Sequence, residues 1–315
     1  MQSSVCAVIV TFNRLDLLKE EIQALVKQTR ALDKIFIVNN NSSDGTKEYL
    51  EELKNSISNL HPIHLDENLG GAGGFYVGTK EAFDKGYDWI WIMDDDAEPE
   101  LNCLEKLLET AENNDNVGFV APLIIHKTTK VVQNYHHKRI NESLTTDFPL
   151  SLEEIKGNKE ISLDANAFVG PLISKKVIEK IGLPRSDFFI WLDDTEYTHR
   201  ITRISKGILN TEAVIFHKDK DAVEDHVRNF WKVCYGFRNR MLWIQSSLKG
   251  FSLIASLLKM TMVYLKMVAK IYLQSRWKNN RFFVLSYLNK AFKDGISNRS
   301  GKFIDPIHYL KNVKQ

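Results

Sequence analysis

Cysteine is scarce in this sequence, and a signal peptide is not apparent. Only three cysteines, Cys6, Cys103 and Cys234, occur among 315 residues, and they are far apart. They match neither a disulfide framework nor a cysteine metal site, so a reducing cytoplasm is the expected compartment. The first ten residues lack the basic and long apolar segments of a signal peptide, and we expect them to begin a strand.

Acidic residues are missing from one long part of the chain. Between His226 and Lys293 there is no Asp or Glu, whereas the same stretch holds thirteen Lys and Arg. Because the whole chain carries a net charge of +2, the remainder carries about −11. This imbalance predicts an anionic partner for the C-terminal part.

Internal repeats and low-complexity segments are absent as well. With 43% hydrophobic and 26% charged residues, the chain is globular and long enough for one large domain plus an appendage. Short apolar runs alternate with amphipathic ones, which predicts an α/β fold with a parallel sheet flanked by helices. The predicted strands are 5–10, 34–38, 62–65, 88–93, 117–125, 188–191 and 214–216; the predicted helices are 15–28, 46–53, 75–85, 101–113 and 195–205; and 126–160 is expected to be irregular.

Polar residues follow several of the predicted strands. Thr11, Asn39, Asn68 and the run Asp94 to Asp96 all come just after strand-like segments. In open α/β sheets the ligand crevice lies at the carboxyl ends of the strands. We therefore expect these residues to line one rim of the sheet.

The run Asp94-Asp95-Asp96 is the strongest candidate site. Adjacent carboxylates repel one another unless something neutralises them, and Mn²⁺ or Mg²⁺ does so through oxygen ligands. In an extended segment residues two apart face the same way. Asp94 and Asp96 are then expected to share one metal while Asp95 points elsewhere. The alternative is an acidic loop before a helix, since Asp favours a helix N-terminus.

A glycine-rich run, Asn68 to Gly74, has four glycines in five positions. Glycines let the backbone approach a ligand closely, and this run precedes a helix whose N-terminus favours phosphate. A tight turn with close helix packing explains the run equally well.

Two further candidates are an acidic pair and a histidine. Asp193 and Asp194 end an aromatic, strand-like run, where desolvation would favour a general base; a helix cap is the alternative. His217 ends a strand and is more often structural; beside the aspartate run it becomes a candidate third metal ligand. His136 and His137 have no partner spacing and are assigned no metal.

Together these runs resemble glycosyltransferase family 2, the inverting GT-A enzymes. The resemblance covers residues 1 to about 245, with the motifs in the right order. The matching runs are AVIVTFNR (7–14), IVNNNSSDGT (37–46), ENLGGAGG (67–74), WIMDDDAEP (91–99), FFIWLDDTEY (188–197), IFH (215–217) and CYGFRNR (234–240).

The resemblance implies a role for each candidate. Asp94 and Asp96 look like the metal-binding DxD pair with His217 as third ligand, and Asp194 looks like the base that deprotonates the acceptor, with Asp193 as substitute. Many members have Asp where this chain has Asn39, although Asn can still bond a uracil edge. Residues implied in nucleotide-sugar binding are Thr11, Arg14, Asn39, Asp44, Asn68, Gly71, Gly73, Gly74 and Asp95.

Within the family, NLGGAGGF and IWLDDTEY look most like galactofuranosyltransferases, which use UDP-galactofuranose. A rhamnosyltransferase that uses dTDP-rhamnose is the alternative donor specificity. A nucleotidyltransferase is a different class, against which the Asp193-Asp194 run speaks. An inactive membrane-bound scaffold is another, although it would need neither a metal site nor a base. The acceptor is expected to be a glycan or a polyprenyl-linked glycan of a surface polysaccharide.

The C-terminal part, 226–315, is expected to be a basic helical region attached to a catalytic domain at 1–225. The long helical candidates are 229–248 and 251–273. Lys259, Lys266 and Lys270 fall on one narrow stripe of the second helix, and each would cost roughly 3 kcal/mol at a bilayer centre. We expect this helix to lie on the inner face of the cell membrane against anionic lipid, rather than to span it or bind nucleic acid. Packing against the catalytic domain or a homo-oligomer contact is the alternative.

Overall fold

Apolar, β-branched runs form a nine-stranded sheet. A computed structural model describes residues 3–218 and 226–314. Three further short strands, β7, β8 and β10, form a separate sheet in the order β10-β7-β8. The strands are β1 Val5–Thr11, β2 Lys34–Asn39, β3 Leu60–His64, β4 Trp89–Asp94, β5 Ala97–Pro99, β6 Val117–His126, β7 His137–Ile140, β8 Asp147–Pro149, β9 Glu160–Leu163, β10 Ala165–Asn166, β11 Val169–Ser174 and β12 Lys206–His217.

The large sheet is parallel at one end and mixed at the other. Its order is β3-β2-β1-β4-β11-β6-β12-β5, with β9 also paired to β12. The first four strands in that order are mutually parallel, whereas β11 runs antiparallel to both β4 and β6. The predicted parallel sheet flanked by helices is confirmed, although the sequence did not predict the antiparallel strand β11 within it.

Helices cover both faces of this sheet. Alternate residues of β1 enter opposite layers: Ala7 and Ile9 pack with α1 and α4, and Val8 and Val10 pack with α3, as the period of two in a strand requires. The helices are α1 Leu15–Val26, α2 Thr46–Leu53, α3 Gly70–Lys85, α4 Cys103–Asn113, α5 Leu152–Ile155, α6 Lys175–Ile181, α7 Asp193–Thr202, α8 Phe230–Ser247, α9 Gly250–Leu273, α10 Arg281–Ile296 and α11 Pro306–Asn312.

The chain forms two compact units. The first comprises the described residues of Met1–Arg139, Phe148–Ser186 and Asp194–Lys220, and it contains the large sheet. The second comprises those of Ile140–Asp147, Asp187–Asp193 and Asp221–Gln315, and it contains α8 to α11. A domain boundary between residues 225 and 226 stays a prediction, because 219–225 lie outside the described residues.

The glycine-rich run is helical rather than a loop. Helix α3 begins at Gly70, five residues before the predicted start, and packs on β1. A Cβ on Gly74 would lie 2.5 Å from Val10 Cγ1, and one on Gly78 would lie 2.4 Å from Val8 Cγ1. Close packing against the sheet therefore explains Gly74 in full, whatever else the run does.

The predicted strand 188–191 is wrong. The segment is a 3₁₀ turn, Ser186–Phe188, followed by left-handed backbone at Phe189, Trp191 and Leu192, with φ of 67°, 66° and 69°. Bulky residues adopt this conformation only when their surroundings enforce it.

Two buried residues of α8 enforce this left-handed segment. Asn239 Nδ2 lies 3.1, 3.0 and 2.8 Å from the carbonyl oxygens of Phe188, Ile190 and Trp191. Arg238 donates to Phe188 O at 3.1 Å and holds Asn239 Oδ1 at 2.7 Å. The run CYGFRNR thus stabilises the segment that precedes the second acidic pair.

The region 126–160, expected to be irregular, contains short regular elements. Strand β7 pairs with β10, so that His137 lies opposite Asn166 and Lys138 opposite Ala165. A capping box at Ser151 begins α5. The expectation of an irregular region is therefore wrong in its central part, where the strands were too short to leave a periodic pattern.

Candidate active site

Four candidate residues end strands of the large sheet. Thr11, Asn39, Asp94 and His217 are the last residues of β1, β2, β4 and β12. Because β1 is parallel to β2 and β4, with Thr11 opposite Asn39 and Val10 opposite Asp94, the first three lie at the same edge. This is the edge at which α/β sheets bind ligands.

The aspartate run is a tight turn, not the extended segment that we expected. Asp94 ends β4, and Asp95 and Asp96 form a two-residue turn into β5. Arg14, from the turn after β1, reaches both: its Nη1 lies 3.1 Å from Asp95 Oδ1 and 2.7 Å from Asp96 Oδ2. The turn brings Asp95 and Asp96 to one cation, so the argument from alternation along a strand does not hold.

Burial makes this cluster electrostatically unusual. Burial, then the charges of Asp96 and Asp95, raise the pKa of Asp94 well above its ordinary value. Burial also raises the pKa of Asp95 to about 6, although Arg14 opposes that rise. Carboxylates held this close and dry gain from any additional cation.

Sequence reasoning missed Glu21, a buried carboxyl on α1. It is 1% exposed, and neither of its oxygens has a hydrogen-bond partner among the described residues. Burial, followed by the charges of Asp95, Asp96 and Asp94, raises its pKa well above the ordinary value. A lone Glu in an amphipathic helix gives no sequence signal, since only the tertiary structure buries it.

His217 is held with one ring nitrogen towards the cluster. Its Nδ1 lies 3.0 Å from Gln133 Oε1, and its Nε2 lies 3.2 Å from Asp96 Oδ1. Since an amide oxygen only accepts, Nδ1 carries a proton, and Nε2 is the ring nitrogen that faces the carboxylate. Gln133 was not predicted, but it has the role of a residue that orients a metal-binding histidine.

A complete metal centre is not preformed in the described residues. No three His, Cys, Asp or Glu side chains among them are arranged to hold an ion. Asp96 and His217 do come together, and Arg14 bonds the other Asp96 oxygen. The set of Asp94, Asp96 and His217 therefore stays a prediction, in which the Asp96–His217 pair is already in place.

The nucleotide-binding candidates are held by bonds within the protein. Asn39 Oδ1 accepts from Ser42 N at 2.9 Å, and Asn68 Oδ1 accepts from Gly70 N at 2.8 Å. Asp44 accepts from Leu15 N at 2.9 Å and from the Thr46 hydroxyl at 2.6 Å. The turns after β1 and β2 and the start of α3 are thereby shaped, and the nucleotide roles of these residues stay predictions.

The glycines of the run differ in their surroundings. A Cβ on Gly71 would meet nothing within 4 Å, whereas one on Gly73 would lie 2.4 Å from Leu69 Cβ. Space is therefore open for a ligand to approach the backbone at Gly71, whereas Gly73 and Gly74 are needed for packing.

The second acidic pair begins α7. Asp193 is buried at 6% exposure, whereas Asp194 is half-buried and accessible. Both the backbone N–H and the hydroxyl of Thr195 donate to Asp194 Oδ1, the hydroxyl at 2.9 Å. A carboxylate in the first turn of a helix is also favoured by the helix dipole. Accessibility makes Asp194 the better candidate base of the two.

Known proteins resemble this chain in sequence and in fold. The model of glycosyl transferase family 2 matches residues 6–182. The galactofuranosyltransferase GlfT1 of Mycolicibacterium smegmatis is 27% identical over 205 residues, which cover 63% of this chain and 65% of that protein. The dTDP-rhamnosyl transferase RfbF of Shigella flexneri is 25% identical over 209 residues, or 66% of each chain.

A solved structure shares the fold. GalNAc-T7 with UDP, GalNAc and Mn²⁺ superposes with a TM-score of 0.64 at 15% identity, covering 94% of this chain and 56% of that one. The predicted GT-A fold is thereby confirmed. Since the family model covers more than half of the sequence, this chain belongs to glycosyl transferase family 2.

Proposed function

We propose that this protein is an inverting, divalent-metal-dependent glycosyltransferase that moves a sugar from a nucleotide-sugar onto a glycan or lipid-linked glycan. The observation that carries the proposal is the Asp96–His217 pair, 3.2 Å apart, beside a buried aspartate turn at the ligand-binding edge of the sheet. Membership of the family supports the same reaction class.

The proposed metal is Mn²⁺ or Mg²⁺, held by Asp94, Asp96 and His217. The donor set fits, because the two carboxylates supply the oxygen ligands that both ions prefer and His217 directs Nε2 at one of them. Bound there, the ion would neutralise the diphosphate of the departing nucleotide. GalNAc-T7, which shares the fold, was solved with UDP and Mn²⁺.

Asp194 is the proposed base, and the reaction is a single displacement. The acceptor oxygen forms a bond to the anomeric carbon as the bond from that carbon to the nucleotide diphosphate breaks, with the bonding electrons leaving on the diphosphate. The acceptor proton passes to the Asp194 carboxylate. Attack opposite the leaving group inverts the anomeric configuration, so no covalent intermediate with the protein is needed.

UDP-galactofuranose is the preferred donor, and dTDP-rhamnose is the alternative. Relatives of both specificities cover about two thirds of this chain, at 27% and 25% identity. The proposed uridine site comprises Thr11, Asn39 and Asn68, where the amide of Asn39 would pair with a uracil edge.

Helix α9 supports a peripheral position on an anionic membrane. Among the described residues it is a helix long and apolar enough to cross a bilayer, and little of it is buried. Phe251, Leu258 and Leu265 are 84%, 61% and 58% exposed on one stripe, and the exposed Lys259, Lys266 and Lys270 flank it. An apolar stripe beside a basic one fits a helix in the plane of the interface.

Vesicle binding tests the membrane part of the proposal. Replacing Lys259, Lys266 and Lys270 by Gln should weaken binding to phosphatidylglycerol vesicles about 100-fold, at about 1 kcal/mol per lysine. The same change at the exposed Lys27, Lys47 and Lys206 of the first unit is the matched control. Equal loss in both triple variants would contradict a lipid-facing role for α9.

Nucleotide release tests the enzyme part. UDP- and dTDP-sugars are incubated with the protein, membrane lipid extract as acceptor, and either Mn²⁺ or EDTA. Metal-dependent UDP release from UDP-galactofuranose supports donor and mechanism together. Release of dTDP from dTDP-rhamnose alone would identify dTDP-rhamnose as the donor and would still support the proposed mechanism. No release from any donor contradicts the proposal and favours a scaffold.

A further inference from the structure

Strand β7 lies against the first turn of α7, where the proposed base is located. Lys138 Nζ is 2.7 Å from the hydroxyl oxygen of Thr195, and that oxygen is 2.9 Å from Asp194 Oδ1. The three groups form a chain of hydrogen bonds from a cation to a carboxylate, and all three belong to the first compact unit.

The direction of these bonds follows from the chemistry of the groups. An ammonium group only donates and a carboxylate only accepts, while a hydroxyl has one proton. The Thr195 hydroxyl must therefore accept from Lys138 and give its own proton to Asp194. The side chain of Thr195 is fully buried, so water does not compete for this orientation. Hydrogen bonds in such a chain polarise and strengthen one another.

Within the described part of the chain, hydrogen bonds reach one of the two carboxylate oxygens of Asp194. Among the described residues, the Thr195 hydroxyl and the Thr195 backbone N–H both donate to Oδ1 of Asp194. Oδ2 is then the oxygen presented for the acceptor proton. Fixing Oδ1 sets the rotation of the carboxylate about its Cβ–Cγ bond, which decides where Oδ2 points.

The same strand fixes the backbone of the base. His137 Nδ1 is 2.7 Å from Asn166 Oδ1, the Asn166 backbone N–H donates to Thr198 Oγ1 at 2.9 Å, and Thr198 Oγ1 lies 2.7 Å from Asp194 O. His137, Asn166 and Thr198 are all fully buried. Both the carbonyl and the carboxylate of Asp194 are therefore connected to β7.

We propose that Lys138 and Thr195 are positioning residues that orient the Asp194 carboxylate for proton transfer. The proposal rests on the proposed function, because it needs Asp194 to be the base. Neither residue touches the reacting atoms, and both act through Asp194.

Four substitutions test the chain of bonds. Lys138→Met and Thr195→Val remove it, while Lys138→Arg and Thr195→Ser preserve a donor and a hydroxyl. We expect the first two to lower kcat about tenfold, because small misplacements of a reacting group slow a reaction strongly. The KM for the donor and the affinity for UDP should not change. The two conservative variants should stay within about twofold of the unchanged protein.

A double variant and a neighbouring control sharpen the test. Because the proposal has Lys138 act on Asp194 through the Thr195 hydroxyl, Lys138→Met combined with Thr195→Val should be no slower than the slower single variant. Arg139→Met alters the next cation along β7, which bonds Glu154 and Ser162 O instead, and should leave kcat unchanged. Thr195→Val conserves volume, so it carries the test if Lys138→Met does not fold.

The assay is nucleotide release with the full chain, Mn²⁺, membrane lipid extract and UDP-galactofuranose or dTDP-rhamnose, whichever the unchanged protein uses. Unchanged kcat in Lys138→Met and Thr195→Val, with Asp194→Asn inactive, would overturn the positioning role and leave the base intact. Full activity in Asp194→Asn would instead overturn the proposed base and this inference with it. A KM increase with kcat unchanged would also contradict positioning.

Discussion

The two acidic runs look alike in sequence and differ in structure. Each follows an aromatic, apolar segment. Asp94 ends a strand, and Asp95 and Asp96 form a buried turn in which both contact Arg14. Asp193 and Asp194 follow a left-handed segment and begin a helix, and Asp194 accepts neutral hydrogen bonds from Thr195.

This structural difference indicates a separate chemical role for each acidic run, which the sequence of the two runs alone does not. The first run is crowded and buried, which raises the pKa of Asp94 and Asp95 and favours a bound cation. In the second run one carboxylate is buried and the other is accessible and oriented. The first is suited to binding metal and the second to accepting a proton.

The largest expected effect concerns the second run. Asp194→Asn should lower kcat about 10³-fold, as expected for loss of a general base, and should leave Mn²⁺ and UDP binding intact. Asp193→Asn, next to it and buried, is the matched variant and should affect folding more than kcat. Initial rates and UDP titration measure both, and equal kcat losses without loss of stability would remove the distinction between the two aspartates.

The next prediction concerns Asn239, which holds the left-handed segment that precedes the second acidic run. Asn239→Ala should reduce the free energy of unfolding by about 3 kcal/mol, because the carbonyl oxygens of Ile190 and Trp191 lose their Asn239 donor and that of Phe188 loses one of its donors. The transfer rate should fall as well, since the left-handed segment leads directly into α7. Urea unfolding of this variant is compared with that of Asn312→Ala, at an exposed position. Equal stability of the two variants would show that Asn239 does not enforce the segment.

Acid should weaken the neutral network behind the second run. Burial lowers the pKa of His137 to about 4, so the folded protein binds fewer protons than the unfolded chain between about pH 4 and pH 6.5. Stability from this residue is complete above pH 6.5 and is lost as the pH falls, by about 2 kcal/mol between pH 7 and pH 5. Urea unfolding of His137→Gln should lack this part of the pH dependence. A pH profile identical to that of the unchanged protein would contradict it.

The smallest effect concerns the first run. Gln133→Ala frees Nδ1 of His217 and should weaken Mn²⁺ binding about tenfold, the lower end for residues that orient a ligand. UDP affinity without metal should not change. Gln23→Ala, exposed on α1, is the control, and Mn²⁺ titration by electron paramagnetic resonance gives the constants. Unaltered Mn²⁺ affinity in Gln133→Ala would contradict the assignment of His217 as a metal ligand that Gln133 orients.

Local patterns predicted the sheet and its rim but not the contacts across the chain. Buried strands such as β1 and β4 are continuous apolar runs, so their ends, and hence Thr11 and Asp94, follow from sequence. The segment 188–191 has strong β propensity, yet Asn239, about fifty residues later, holds it in another conformation. Propensity is overruled where tertiary hydrogen bonds decide.

Residues whose importance depends on neighbours that are distant in sequence left no local sequence signal. Gln133, Glu21 and Lys138 matter because of what folding places beside them: His217, the aspartate turn and Thr195. The start of α3 was missed because glycine has low helix propensity, whereas packing against Val10 requires glycine at position 74.

The central claim is that the first acidic run binds the metal and the second accepts the proton. Measuring both Mn²⁺ binding and nucleotide release in the same variants tests this claim most directly. Asp94→Ala combined with Asp96→Ala should abolish Mn²⁺ binding and transfer together. Asp194→Asn should keep Mn²⁺ and UDP binding and lose transfer alone. Mn²⁺ binding that survives in the double variant, or that disappears in Asp194→Asn, would contradict the account.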